Sequence, residues 1–67
     1  MNVVKKFTNY STGEIISWQV GHYVPYNEED GGFEAVYTYY AKTDPKARDT
    51  AAEVCSYLNG GTKPSWM

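Results

Sequence analysis

Apolar and polar residues alternate with a period of two along most of the first forty positions, and that period predicts strands. Val3 to Tyr10 (Val-Val-Lys-Lys-Phe-Thr-Asn-Tyr) is rich in β-branched and aromatic residues and reads as a first strand, closed by the turn sequence Ser11-Thr12-Gly13-Glu14. From Ile15 to Val24 one set of side chains, Ile16, Trp18, Val20, His22 and Val24, alternates with a second, Ile15, Ser17, Gln19, Gly21 and Tyr23. The first set is the more apolar and is expected to face the core. Pro25 has no N–H to give a ladder, so the second strand stops there or runs on as an edge. A polar loop, Asn27-Glu28-Glu29-Asp30-Gly31-Gly32, precedes a third strand over 33–42, with Phe33, Ala35, Tyr37, Tyr39 and Ala41 on one face and Glu34, Val36, Thr38, Tyr40 and Lys42 on the other. The loop is the expected flexible segment.

The period then lengthens to about three and a half. Ala47, Ala51, Val54, Cys55 and Leu58 form an apolar stripe, which predicts a helix over 45–59. Thr43 or Asp44 suits the N-cap, Pro45 the first turn, and Asn59-Gly60-Gly61 the stop, with Gly60 free to take a left-handed conformation. The tail from Thr62 to Met67 either frays or tucks Trp66 against the domain.

Three consecutive strands with short connections pair most readily as an antiparallel meander, and one helix covers one face of it. The expected fold is a single two-layer α+β domain, β-β-β-α, with Trp18, Val20, Phe33 and Tyr37 beneath the helix.

Composition sharpens this picture mainly by exclusion. In 67 residues one core supplies about 3–5 kcal/mol, so small domains often add a disulfide, a metal or a partner chain. One cysteine, Cys55, cannot form an intrachain disulfide, and one histidine, His22, without a Cys-x-x-Cys pair cannot complete a four-ligand zinc site. The net charge of −2 is a poor start for phosphate recognition, so nucleic acid is a weak match. The run free of Asp, Glu, Lys and Arg from Ile15 to Asn27 is short of the ~20 apolar residues of a membrane helix. The residues that open the chain carry charge without an apolar stretch behind it, so no signal peptide is expected. With a lone thiol, that points to the cytoplasm.

No catalytic residue is expected. His22 reads as a half-buried packing histidine, and Cys55 lies mid-stripe, far from the electropositive helix start that activates thiols. Glu28, Glu29 and Asp30 lack the alternating spacing of a calcium loop and read as a solvated acidic loop, or as a patch that docks on basic groups of a partner. Neither Gly31-Gly32 nor Gly60-Gly61 opens a helix with a Lys-Ser or Lys-Thr, so no phosphate cradle and no cofactor is expected.

The unusual feature is tyrosine: seven, at Tyr10, Tyr23, Tyr26, Tyr37, Tyr39, Tyr40 and Tyr57, beside Trp18 and Trp66. Strand phase leaves Tyr23, Tyr40, Val36 and Ile15 on the face without a helix, where large rigid side chains make good contact surface. With Tyr26 and the acidic Glu28, Glu29 and Asp30, these are the candidate partner-binding residues. The expected function is non-enzymatic binding of another protein, or of a second copy of the chain, through the open face, an unpaired edge or the acidic loop. The alternative is a small-ligand or nucleotide binder that stacks its aromatics. In size and acidity the chain resembles phage-encoded inhibitors of host or defence proteins; that resemblance, which involves no shared motif, implies steric blockade or mimicry in a host cytoplasm.

Overall fold

The structure, a computed structural model, describes residues 1–25 and 29–67, with Glu29 and Asp30 described by their backbone alone. Three strands, β1 (Val3–Thr8), β2 (Ile15–Tyr23) and β3 (Phe33–Tyr40), are followed by one helix, α1 (Ala47–Leu58), and a 3-10 turn over Glu29–Gly32 leads into β3. The strands form one antiparallel sheet in the order β1-β2-β3. This is the α+β β-β-β-α fold, with each element shorter by one to three residues than its periodic run. β2 is the central strand and ends at Tyr23, two residues before Pro25.

The local chemistry explains the boundaries. Between β1 and β2 the turn is closed by Asn9 N–H to Glu14 O (2.8 Å) and Gly13 N–H to Asn9 O (2.7 Å), with Gly13 at φ 74°. Before α1 the Asp44 carboxylate accepts the Lys46 N–H at 2.9 Å and the Asp44 carbonyl accepts the Ala47 N–H at 3.1 Å. Pro45 therefore sits in this preliminary turn rather than in the helix. At the other end Gly60 N–H bonds to Tyr57 O and Gly61 N–H to Ser56 O, with Gly60 at φ 98°. That pair of bonds is a Schellman cap, which satisfies carbonyls the helix leaves open.

α1 lies over one face of the sheet. Val20, Ala51 and Val54 are fully buried there, flanked by Val4, Trp18, Tyr39, Cys55 and Leu58. Asn59, just past the helix, holds the start of the chain in place. Its side-chain oxygen accepts the Asn2 N–H (2.9 Å), and its amide nitrogen donates to the Asn2 carbonyl (2.8 Å). The tail is tucked in, with Trp66 Nε1 donating to Glu53 Oε2 at 2.8 Å.

Two irregularities in the ladder change which side chains face the helix. Val20 pairs with Tyr37 while Gly21 pairs with Ala35, so Val36 is an extra residue in β3. A one-residue insertion inverts the phase of everything beyond it. Tyr37 and Tyr39 therefore stay on the helix side, whereas Phe33, expected beneath the helix, points to the opposite face. The bulge needs glycine at position 21: a Cβ there would lie 2.9 Å from the Ala35 Cα and would also meet the Glu34 carbonyl. The second shift falls between Phe7 and Thr8, which pair with Ser17 and Ile15, so Ile16 has no partner in β1. Ile16, expected in the core, is instead 46% exposed.

Candidate functional site

On the face away from α1, Phe33 is not left in water. It is only 4% exposed, its ring 5.3 Å from that of Tyr23 and 6.2 Å from that of Phe7. Phe7 is on β1 and Phe33 on β3, and they pair with Ser17 and Tyr23 at opposite ends of β2. For their rings to meet, the sheet must curl toward this face, and bulges promote such curling. The Lys5 ammonium lies 5.2–5.6 Å from the centroids of Phe7, Tyr23 and Phe33, within cation–π range of all three. Gly31, in the 3-10 turn, shares a shallow surface depression with Lys5, Lys6, Phe7, Thr8 and Tyr10. Gly31 thus lies beside β1 at that side of the sheet.

What remains exposed follows β3 and the start of β2. Tyr40 and Tyr23 are each 57% exposed, and Val36, Tyr37 and Ile15 are exposed as well. Ile15, Ile16 and Tyr40 line a second shallow depression with Asn9, Glu14 and Lys42. Four of the expected contact residues, Tyr23, Tyr40, Val36 and Ile15, are thus solvent-facing, but they do not form one patch. Tyr40 pairs with Ser17 and Tyr23 with Phe33, a separation of ~20 Å along β2. Tyr23 belongs to the Phe7–Phe33 cluster, and Tyr40 groups with Ile15 and Ile16. Of the acidic loop, Tyr26 and Glu28 lie outside the described residues, as do the side chains of Glu29 and Asp30; the backbone of the last two forms the 3-10 turn.

On the helix side, Tyr37 and Tyr39 stack at 6.4 Å with their rings 18° apart. Burial, then the neighbouring Tyr37 and Asp44, push the Tyr39 hydroxyl above the usual tyrosine range. Cys55 is half-buried rather than sealed in the core, and its thiol donates to the Asn2 carbonyl at 3.3 Å. His22 pairs across the sheet with Glu34. Among the described residues no group of three or more His, Cys, Asp and Glu side chains is placed to share a metal ion, and no helix is long and apolar enough to cross a membrane.

The Lys5–Phe7–Phe33 cluster and the role of Asn59 escape a strand-by-strand reading. One signal for the first was present: a lone glycine inside an alternating strand marks a bulge or a close backbone approach, and Gly21 is both. Comparison with protein-family models, with curated proteins and with solved structures finds no match to this chain.

Proposed function

We propose that this chain is a small, non-enzymatic protein-binding module that modulates another protein, as a cytoplasmic inhibitor would, by covering part of its surface. One observation carries the reading: a sheet face without a helix, at which Tyr40 and Tyr23 stand in solvent, with Val36 and Ile15 exposed at the two breaks in the ladder. Tyrosines on a rigid strand lose little entropy on contact and often dominate interface energetics. The aromatics offer less to a small ligand, because Tyr37 and Tyr39 stack on each other and Phe7, Tyr23 and Phe33 close around Lys5.

The test is affinity capture from the native cell with the wild type, Tyr40→Ala and Tyr23→Ala, alongside circular dichroism of each. A partner held by the wild type should be captured at least about tenfold more weakly by the Tyr40 variant, with the spectrum unchanged. Undiminished capture by both variants refutes the face as the contact surface.

A further inference from the structure

Among the described residues no further strand pairs with the outer edge of β1 or of β3, but the two edges differ in what guards them. Ala41 N–H donates to Ile16 O at 3.0 Å, and the register runs on through Tyr40–Ser17, Tyr39–Trp18 and Thr38–Gln19. Backbone groups in an antiparallel ladder alternate in direction, so Ala41 and Tyr39 bond to β2 while Tyr40 and Thr38 turn theirs outward. The Tyr40 carbonyl is taken up by the Asp44 N–H at 3.0 Å. For the Thr38 N–H and carbonyl and the Tyr40 N–H, no further strand lies on that side among the described residues.

Exposed edges are normally protected by charge, above all lysine, or by proline. β1 has Lys5 and Lys6 at its centre. β3 from Ala35 to Tyr40 reads Ala-Val-Tyr-Thr-Tyr-Tyr: five good strand formers after one alanine, with no charge and no proline. Val36, Tyr37 and Tyr40 are all exposed.

We propose that β3 is a dimerisation strand, pairing antiparallel with β3 of a second copy about a two-fold axis at Thr38 to make one six-stranded sheet. The occupant is identified by self-complementarity. A two-fold at Thr38 sets Thr38 opposite Thr38 and, twice, Tyr37 opposite Tyr39 of the second copy, along the regular part of the strand between the Val36 bulge and Tyr40. Thr–Thr and aromatic–aromatic pairs are favourable cross-strand neighbours. Assembly stops at two copies, because joining the β3 edges leaves only the lysine-bearing β1 edges outermost.

Sedimentation equilibrium from low to high micromolar concentration tests this with Thr38→Lys, Thr38→Glu and their mixture. The wild type should approach twice the 7.6 kDa chain mass. Either variant alone sets like charges at the axis and should dimerise at least about tenfold more weakly. Mixing the two should restore the dimer, and circular dichroism should match the wild type throughout. A wild type that stays monomeric, a Thr38→Lys protein that dimerises as tightly, or assemblies larger than two would each overturn the proposal. If Thr38→Lys fails to fold, amide exchange in the wild type decides: exchange at Thr38 should slow as concentration rises, and exchange independent of concentration overturns it. Tyr23→Ala, remote from the axis, should leave the dimer intact, so loss of the dimer and loss of a foreign partner are read separately.

Discussion

Adding a single methyl group at Gly21 should damage this fold about as much as truncating a core side chain. The position lies on the central strand beside the Val36 bulge, where the Glu34–Ala35 backbone passes close. An alanine Cβ would lie 2.9 Å from the Ala35 Cα and 2.9 Å from the Glu34 carbonyl carbon, and would collide with the Glu34 oxygen. Those atoms are main chain and cannot rotate aside, so β2 and β3 must separate or the bulge must be lost. Overpacking of this kind costs about 1–3 kcal/mol, and the absence of a soft side chain puts Gly21→Ala at the upper end. At 0.05–0.15 kcal/mol per residue, a 67-residue domain has roughly 3–10 kcal/mol in total. A loss of about 3 kcal/mol therefore removes between a third and all of its stability. Urea unfolding followed by far-ultraviolet circular dichroism measures the change in midpoint. A midpoint within the equivalent of about 0.5 kcal/mol of the wild type, the usual range for an innocuous surface change, would refute the close-approach argument.

Two further outcomes follow from the remaining contacts. Asn59→Ala removes both hydrogen bonds to the Asn2 backbone and should cost about 1–2 kcal/mol, with faster amide exchange concentrated at the start of β1; exchange unaltered there would mean the clamp is idle. The raised Tyr39 hydroxyl makes folding pH-dependent in a defined direction: the neutral form is favoured in the folded state, so the stabilisation is intact below the unfolded tyrosine range near about pH 10 and is lost as pH rises through the higher folded value. Tyr39→Phe should accordingly flatten the alkaline limb of the stability profile, and an unchanged limb would assign that loss to other tyrosines.

Element order and type were legible because each rests on a long periodic run. The helix stripe Ala47, Ala51, Val54, Cys55 and Leu58 and the inward set Trp18 and Val20 need nothing beyond their spacing. Phe33 was misplaced for a physical reason: strand phase carries face assignments forward only while the ladder is regular, and one extra residue at Val36 reverses it. Ile16 fails in the same way at the other irregularity. Tyr23, Tyr40, Val36 and Ile15 were correctly placed in solvent, but the ~20 Å between the two tyrosines depends on ladder register, which sequence spacing does not fix. Asn59 reads from the sequence only as a helix stop, since nothing local announces that its amide will meet the backbone of Asn2.

That clamp has a consequence for the order in which the sheet is fastened. It joins residues 57 apart. β1 and β2 can pair through their short turn without it, but the start of β1 has no side-chain anchor until α1 has folded and brought Asn59 alongside. Local opening at the end of α1 would therefore release the leading strand too, coupling the two into one cooperative unit.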